Sequence, residues 1–367
     1  MKIVLTGAQG FLGWHTRLRL HALTDHEVVP VGRAEWESLP SLIADADAVV
    51  HIAGVNRAES DDEVRDGNIS LARDLANAIE RGGAPPRVVY ANSNQAGNGT
   101  PYGSGKEEAA SILGRATEAT GGTFVNVHLP NIFGEHGRPR YNSFVATFVH
   151  AVITGEEVTI NDNQVGLLHV QNAAQALLDG LTGEAAEIHP EPEAHRVQEV
   201  WDLLQEFHAS YVPSGEIPDL SSTFRIDLFN TYRAALFPEH YPIQLVPRSD
   251  PRGAFVETVR CRGGEGQTSF STTVPGITRG EHYHLHKIER FAVIRGKGTM
   301  ELRKMFTDEV VAFEADGDAP VAVDMPVGWV HNITNTGDDV LFTQFWSHEL
   351  FRPDAPDTFP EPVRPQE

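Results

Sequence analysis

A tyrosine and a lysine four residues apart form a pattern that could do chemistry. Tyr102 and Lys106 lie in SNQAGNGTPYGSGK, which begins at Ser93. If a helix begins near Pro101, this spacing places both side chains on one face, about one turn apart. An adjacent ammonium favours a phenolate, so Tyr102 could exchange a proton with a carbonyl or alcohol near neutral pH while Ser93 holds the same oxygen. The alternative is a surface turn that leads into a helix.

Histidines near the C-terminal end form a second pattern. In a β-strand, His282, His284 and His286 would share one face, and Glu289 and His331 follow along the chain. Imidazole and carboxylate groups in this combination are ligands for Zn²⁺ or another divalent ion. The alternative, histidines on a solvated strand face, needs a separate coincidence for each residue. The pattern predicts a divalent metal, with zinc as the expected ion, at His282, His284, Glu289 and His331.

A glycine-rich turn opens the chain. The β-rich run KIVLT ends at Thr6, and GAQGFLG follows at the start of a helical stretch. Glycines at such a turn let the backbone approach a pyrophosphate, which then lies on the helix N-terminus. This context predicts a dinucleotide site that includes Gly7, Gly10, Phe11 and Gly13.

The end of the second predicted strand indicates which dinucleotide is bound. Arg33 stands where an NAD-specific enzyme usually has an acidic residue, and arginine suits the 2′-phosphate of NADP. The alternative is a solvated arginine near a helix start. Further along, Ala53 begins the small-residue stretch AGVNR, where a cofactor would pass over a strand end. We therefore expect NADPH.

Two kinds of sequence indicate two domains. In residues 1–245, strands alternate with helices, which predicts a parallel, doubly wound α/β sheet of the Rossmann type. After a proline-rich linker, residues 246–367 contain short β-rich runs with Gly, Pro and Asp turns, typical of an all-β barrel or jelly roll. The predicted strands of the first domain are Lys2–Thr6, Glu27–Val31, Ala48–Ile52, Arg87–Ala91 and Thr123–Leu129.

Composition limits the partners. The 367 residues carry 51 acidic and 29 basic side chains, a net charge of −22, which argues against nucleic acid and against an anionic membrane. The lone Cys261 excludes an intrachain disulfide and fits a reducing compartment. No apolar run approaches the ~18 residues of a membrane span, so no membrane insertion and a cytoplasmic location are expected.

The first domain resembles the extended short-chain dehydrogenase/reductase family. GAQGFLG looks like the family's glycine motif, Tyr102 and Lys106 like its YxxxK pair, Ser93 like its carbonyl-polarising serine, and Asn131 in LPNIFG like its substrate-side asparagine. The interval from Ser93 to Tyr102 is shorter than usual, and Asn172 replaces a common aspartate. Asn94 and Gln95 stand where the family's dehydratases carry an acid pair, which leaves reduction or epimerisation.

By the same resemblance, GRPRYNS follows the substrate-side strand, where the family binds the nucleotide of a nucleotide-sugar. Arg138, Arg140 and Asn142 lie in it. Arginine forks match pyrophosphate geometry. The alternative is that these arginines are simply solvated.

The second domain resembles the cupin family. G-x5-H-x-H-x4-E-x6-G, from Gly276 to Gly296, looks like its first motif, and P-x-G-x2-H-x3-N like its second. DPRGAFVE and GITRGEHYH also look like the deoxysugar 3,5-epimerases, in which the residue matching His282 removes a proton alpha to the ketone. One lone pair cannot serve both roles. If His282 binds metal, the base is another group, such as His286 or a water on the metal.

Across nearly its whole length the chain resembles the CapF-type bifunctional capsular-polysaccharide enzymes. This resemblance implies C3 epimerisation of a UDP-4-keto-6-deoxy-N-acetylhexosamine in the cupin domain, then NADPH-dependent reduction at C4 to UDP-N-acetyl-6-deoxy-L-talosamine. It also implies a homodimer formed through the cupin domains. Two alternatives stay open: a nucleotide-sugar 4-epimerase or 4-reductase with a purely structural, dimerising cupin, and a redox-sensing protein that holds NADP without turnover.

Overall fold

The computed structural model describes residues 1–82 and 86–365. Its elements as far as the middle of the chain are Lys2–Thr6 (β1), Phe11–Leu23 (α1), Glu27–Val31 (β2), Leu39–Ile43 (α2), Ala48–His51 (β3), Asp61–Gly82 (α3), Arg87–Ser93 (β4), Pro101–Ala119 (α4), Thr123–Leu129 (β5), Asn131–Phe133 (β6), Phe144–Thr154 (α5), Gln164–His169 (β7), Val170–Thr182 (α6), Glu187–Ile188 (β8) and Glu193–Arg196 (β9).

The remaining elements are Val197–Ser214 (α7), Ile217–Asp219 (β10), Thr223–Leu236 (α8), Ile243–Gln244 (β11), Arg248–Asp250 (β12), Gly253–Phe255 (β13), Cys261–Gly263 (β14), Gln267–Thr273 (β15), Thr278–Tyr283 (β16), Glu289–Arg295 (β17), Lys297–Lys304 (β18), Val310–Asp316 (β19), Val321–Met325 (β20), Trp329–Asn335 (β21), Leu341–Ser347 (β22) and Phe359–Pro360 (β23). Among the described residues, no helix is both long and apolar enough to cross a membrane.

A six-stranded parallel sheet forms the centre of the first unit. Its strand order is β2-β1-β3-β4-β5-β8. The apolar residues of the central strands, such as Val50, Val89 and Val127, are fully buried, as expected for a parallel sheet with helices on both faces. The prediction of a doubly wound α/β fold is confirmed.

Two five-stranded antiparallel sheets form the main β-structure of the second unit, beside two two-stranded sheets, β10-β14 and β12-β13. Their strand orders are β11-β20-β17-β22-β15 and β19-β18-β21-β16-β23. Phe291 of the first sheet packs edge-on against Phe345 of the same sheet and against His331 of the other, with ring centroids 4.5 and 5.6 Å apart. The inner faces of the two sheets therefore share one core, and the prediction of an all-β cupin-type jelly roll is confirmed.

The compact units divide the chain differently from the predicted boundary after residue 245. The first unit is Met1–Thr147 with Ile160–Val197, and the second is Phe148–Thr159 with Gln198–Glu367. Residues 198–245 belong to the second unit, and a buried hydrogen bond and a strand pairing connect them to its β-structure. The Tyr211 hydroxyl donates a hydrogen bond to buried Asp324 at 2.5 Å, and β11 pairs with β20.

Candidate active site and metal centre

The turn between β1 and α1 accepts only glycine at two positions. Gly7 has a φ of +70°, and a Cβ there would lie 2.8 Å from the backbone nitrogen of Ala53. A Cβ on Gly13 would lie 2.0 Å from the carbonyl oxygen of Gly7. Gly10 is the N-cap of α1, and glycine has no side chain that could cap the helix. The backbone is thus bare at a helix N-terminus, which fits a dinucleotide pyrophosphate.

An acidic residue that the sequence pattern did not single out, Glu35, follows β2. The backbone N–H of Gly32 donates a hydrogen bond to the Glu35 carboxylate at 2.8 Å, while Arg33 is exposed. A carboxylate in this region is the group that NAD-specific sites use for ribose hydroxyls. Arg33 and Glu35 are therefore two alternative candidates for binding the ribose of the cofactor.

Ser93 and Tyr102 come together as predicted. Ser93 is the last residue of β4, and its hydroxyl accepts the N–H of Gln95 at 3.2 Å. Burial raises the pKa of Tyr102, and a hydrogen bond with Ser93 opposes that rise. The short interval between them is closed by a tight loop, in which a Cβ on Gly103 would lie 2.3 Å from the Gln95 carbonyl oxygen. The pair can bind one oxygen atom from two sides.

Lys106 lies on the same helix but in a different environment from the predicted one. Its Nζ donates to the carbonyl oxygen of Ala91 at 2.7 Å and lies 4.3 Å from the centre of the Tyr90 ring. Burial lowers the pKa of Lys106 to about 7. The predicted lowering of the Tyr102 pKa by an adjacent ammonium is not what the structure shows, because this ammonium is turned toward β4. Tyr90, a contact of Lys106, was not found by sequence reasoning.

The predicted substrate residues lie along one segment after β5. Asn131 donates from its side chain to the carbonyl oxygen of Gly166 at 3.3 Å, and Arg138 lies over the Tyr141 ring at 5.2 Å. Arg138, Arg140 and Asn142 are exposed. Two guanidinium groups are thus presented to solvent in an otherwise acidic protein.

A buried carboxylate anchors that segment. Glu135 is fully buried, and its Oε2 lies 3.3 Å from Nε2 of His169. Burial alone would raise the pKa of Glu135, but His169 and the nearby His15 hold it at about 2. His15, on α1, also donates a hydrogen bond to the backbone carbonyl of Glu135 at 2.9 Å. No sequence spacing connects these three residues, so only the fold could reveal them.

The predicted metal ligands of the second unit do converge. The ligand atoms of His282, His284, Glu289 and His331 all lie within 4.8 Å of one another. Glu289 Oε2 is 3.0 Å from Nε2 of His284, 3.3 Å from Nε2 of His331 and 3.9 Å from Nε2 of His282. His282 and His331 are direct neighbours on β16 and β21, so they share a face. Glu289 comes from the opposite sheet.

The hydrogen bonds of two histidines fit a metal. Nδ1 of His284 lies 2.5 Å from the carbonyl oxygen of Asp357, and Nδ1 of His331 lies 3.1 Å from that of Trp329. Carbonyl oxygens only accept, so both Nδ1 atoms carry the proton and a neutral ring directs its Nε2 lone pair toward Glu289. Burial lowers the pKa of His331 to about 4, so this ring is neutral near pH 7. Lone pairs that face a carboxylate need a cation between them, and Zn²⁺ takes this ligand set.

His286 does not join this cluster, which corrects the prediction that it shares their face. Strand β16 ends at Tyr283, since the Asp357 carboxylate accepts the backbone N–H groups of Leu285, His286 and Lys287. The His286 ring instead lies near Asp227 of α8, with Nδ1 3.7 Å from Oδ1.

Comparisons with known proteins agree with this geometry. Residues 3–191 match the NAD dependent epimerase/dehydratase family, and residues 248–359 match the polysaccharide biosynthesis C-terminal domain. A UDP-2-acetamido-2,6-beta-L-arabino-hexul-4-ose reductase of Pseudomonas aeruginosa is 34% identical over 98% of this chain and 98% of its own length. The crystal structure of the capsular polysaccharide assembling protein CapF from Staphylococcus aureus has a TM-score of 0.64 at 34% identity, covering 99% of this chain and 100% of that one. The chain belongs to the CapF family.

Membership in the CapF family covers both units and confirms the resemblance seen in the motifs. The spore coat polysaccharide biosynthesis protein SpsL of Bacillus subtilis is 28% identical over 31% of this chain and 82% of its own length. The dinucleotide turn, the Ser93–Tyr102 pair and the histidine cluster are thus parts of a CapF-type chain. A nicotinamide cofactor follows from the first family match.

We expect Lys106→Met to raise the free energy of unfolding of the cofactor-free protein at pH 6, by on the order of 3 kcal/mol. The folded lysine has a pKa of about 7 against 10.5 for the ordinary group, so at pH 6 the fold buries a charge. Between pH 7 and 10.5 the unfolded chain still binds a proton that the folded chain has released, and wild-type stability rises with pH. The advantage of the variant should shrink over that range.

Urea unfolding of both proteins at pH 6 and pH 9.5 measures this effect. Lys297→Met is the matched control, because the Lys297 side chain is 69% exposed. A stability difference for Lys106→Met that does not change with pH would contradict the buried-charge interpretation.

Proposed function

We propose that this chain is a bifunctional nucleotide-sugar enzyme. The second unit epimerises C3 of a UDP-4-keto-6-deoxy-N-acetylhexosamine, and the first unit then reduces the C4 ketone with NADPH to give UDP-N-acetyl-6-deoxy-L-talosamine. The placement of Ser93 at the end of β4 beside Tyr102, where Ser93 opposes the rise in the Tyr102 pKa that burial causes, is the single observation that carries the reductase half. The Pseudomonas relative, a reductase of a 2-acetamido-hexul-4-ose, supports a keto-sugar substrate.

The order of the two reactions follows from the substrate. A ketone at C4 makes the C3 proton acidic, because the carbanion is stabilised as an enolate. Once C4 is an alcohol, that proton is no longer labile. Epimerisation therefore precedes reduction.

In the reduction, Ser93 and Tyr102 hold the C4 oxygen. NADPH, when bound to the turn of Gly7, Gly10, Phe11 and Gly13 and near Ala53, supplies the hydride. Ser93, oriented by the Gln95 N–H, donates a hydrogen bond to the ketone oxygen. Tyr102 gives its phenolic proton to the same oxygen, so one hydride and one proton convert the ketone into an alcohol.

Five other residues position the reactants for reduction. We assign Lys106 to the cofactor, since its buried Nζ is held by the Ala91 carbonyl and lies beside the Tyr90 ring, both on β4. Asn131, Arg138, Arg140 and Asn142 are assigned to the sugar nucleotide. The two exposed guanidinium groups suit its diphosphate, as arginine binds such groups in a bidentate manner.

In the epimerisation, we assign His282 as the base and the other three residues as the firm metal ligands. The His282 side chain is 21% exposed, against 2% for His284 and 0% for His331, and its Nε2 is the farthest from Glu289. A divalent ion, with zinc favoured by the donor set, would stabilise negative charge on the C4 oxygen. His282 removes the C3 proton, the C–H electron pair forms a C3–C4 double bond and the carbonyl π pair moves to the C4 oxygen; protonation of C3 by water on the opposite face restores the ketone and inverts C3.

The second unit also offers a surface for a homodimer. Strand β15 lies at the edge of its sheet, and two aromatic side chains on it or next to it are largely exposed: Phe270 at 68% and Phe351, whose backbone N–H donates to Gln267 of β15, at 61%. Exposed apolar edges of this kind are usually covered by a partner. Sedimentation equilibrium that gives only the 40.2 kDa chain mass at micromolar concentration would exclude this dimer.

Tyr102→Phe should abolish NADPH oxidation with a 4-keto sugar nucleotide, because the variant has no proton to give. Loss of a general acid lowers kcat by about 10²–10⁴-fold. Fluorescence titration should show unchanged NADPH binding, and Tyr141→Phe, a change at another tyrosine of the same unit, provides a control for binding effects. Turnover within tenfold of wild type would overturn the reductase assignment.

The choice between Arg33 and Glu35 sets cofactor preference. If Arg33 binds the 2′-phosphate, Arg33→Ala should raise the Kd for NADPH about 10–100-fold while changing that for NADH little, because a charge-assisted contact contributes about 1.5–3 kcal/mol. Glu35→Gln should then leave NADPH binding intact. If Glu35→Gln weakens NADH binding and Arg33→Ala affects both cofactors equally, the cofactor is NAD and the NADPH proposal fails.

His331→Ala should lower both the bound zinc and the incorporation of solvent deuterium at C3, measured by mass spectrometry of product made in D₂O. Because His331 is fully buried, a second variant is needed in case His331→Ala does not fold. Glu289→Gln has nearly the same shape as the native side chain, and we expect the same two losses from it. His286→Gln, outside the cluster, should retain both signals. Undiminished deuterium incorporation in Glu289→Gln would remove the second unit from the chemistry and favour a structural cupin.

A further inference from the structure

A second group of metal-ligating side chains lies at the edge of the parallel sheet. His128, Glu187 and His189 each offer one ligand atom, and these atoms lie within 4.8 Å of one another. The register of β5 and β8 pairs Asn126 with Glu187 and Val127 with Ile188, so the next pair along the parallel strands is His128 and His189. Their rings stack with centroids 4.4 Å apart and planes 10° apart.

A chain of amide groups fixes the hydrogen bonds on one side of this group. The backbone N–H of Ser93 donates to Asn92 Oδ1 at 2.8 Å, and Asn92 Nδ2 donates to Asn126 Oδ1 at 3.0 Å. Asn126 therefore presents its NH₂ group to the surface. That nitrogen lies 2.9 Å from Nε2 of His128 and 3.4 Å from Oε1 of Glu187.

These contacts leave His128 in conflict with one neighbour in either form. To accept the N–H of Asn126, Nε2 of His128 needs a free lone pair, but Glu187 Oε2 lies only 2.6 Å from the same nitrogen and also carries lone pairs. If Nε2 is protonated, it satisfies Glu187 and opposes the amide N–H. A cation between Nε2 and the carboxylate removes the conflict, and the amide can then donate to Glu187 Oε1.

We propose that His128, Glu187 and His189 form a binding site for a divalent transition-metal ion that ties the edge strand β8 to β5. Two imidazoles and a carboxylate suit Zn²⁺, Ni²⁺ or Cu²⁺ rather than Mg²⁺ or Ca²⁺. Strand β8 is held to β5 by two residue pairs only, so a bound ion adds a link where the sheet is weakest. The Glu187 side chain is 54% exposed, which lets the ion enter from solvent.

In a third group of candidate ligands, formed by His286, His348 and Glu349, one histidine has no lone pair left for a metal. Nδ1 of His348 accepts the backbone N–H of Ile288 at 2.9 Å. A neutral His348 must then carry its proton on Nε2, which leaves no lone pair for a metal. This group therefore provides a control.

The test is zinc binding by the full chain after removal of metal with a chelator, measured by competition with a chromophoric chelator. His331→Ala removes one ligand of the second unit's site and is made together with Glu289→Gln, which removes another; in this background, referred to below by His331→Ala, the edge site should bind one Zn²⁺ per chain. Adding His128→Gln or Glu187→Gln to that background should raise the Kd at least about tenfold, whereas adding His348→Gln should not change it. Glu187→Gln lies at an exposed position, so it does not threaten folding.

Thermal unfolding provides a second measurement on the same proteins. Saturating Zn²⁺ should raise the Tm of the His331→Ala protein by a few degrees and leave that of His331→Ala/Glu187→Gln unchanged. Equal zinc affinity with and without Glu187→Gln would overturn the proposal. So would the absence of micromolar zinc binding in His331→Ala. Neither result bears on the assignment of Tyr102, which is tested by NADPH oxidation.

Discussion

The closeness of Ser93 to Tyr102 is the constraint on which the first unit's proposed chemistry depends. Ser93 is placed by the end of β4, and Tyr102 by the first turn of α4. Thr100 caps that helix by accepting the N–H of Gly103 at 3.1 Å, so the helix begins where the loop ends. A side chain at Gly103 would meet the loop backbone, so the loop stays short only with glycine there. A strand end and a helix start thus hold the two hydroxyls near each other.

Electrostatics around this pair differ from the usual picture of a lysine beside the tyrosine. The buried Lys106 ammonium is turned to the Ala91 carbonyl, and it contributes to lowering the pKa of the buried His51 to about 3, after burial itself. His51 is therefore neutral near pH 7, whereas Lys106, with a pKa of about 7, gains and loses its proton in that range.

The second unit arranges its groups on a different plan. Ligands come from both sheets, and backbone carbonyls of Asp357 and Trp329 fix the rings of His284 and His331. The outer face carries a buried ion pair, Arg290 with Asp324, at 2.6 Å. Such pairs contribute little net stability, but removing one partner costs about 3–5 kcal/mol. The Tyr211 hydroxyl donates to Asp324, so the pair also links α7 to the sheet.

The sequence by itself determined the order and type of elements in the first unit. The strands predicted at Lys2–Thr6, Glu27–Val31 and Thr123–Leu129 have the same bounds in the structure, because each is a largely apolar, β-rich run with a glycine directly at one end. It also determined the residue types of both candidate sites, since the motifs are local. The four predicted metal ligands converge for that reason.

Tertiary structure decided what depends on distant backbone. The bulge at Glu281, with a φ of +62°, and the Asp357 carboxylate end the strand before His286, and neither could be read from alternation alone. The tertiary structure also decided the direction of the Lys106 ammonium, the position of the Glu35 carboxylate after β2 and the placement of residues 198–245 in the second unit. Local patterns set which face a residue can take, but the hydrogen-bond partners that fix its charge come from elsewhere in the chain.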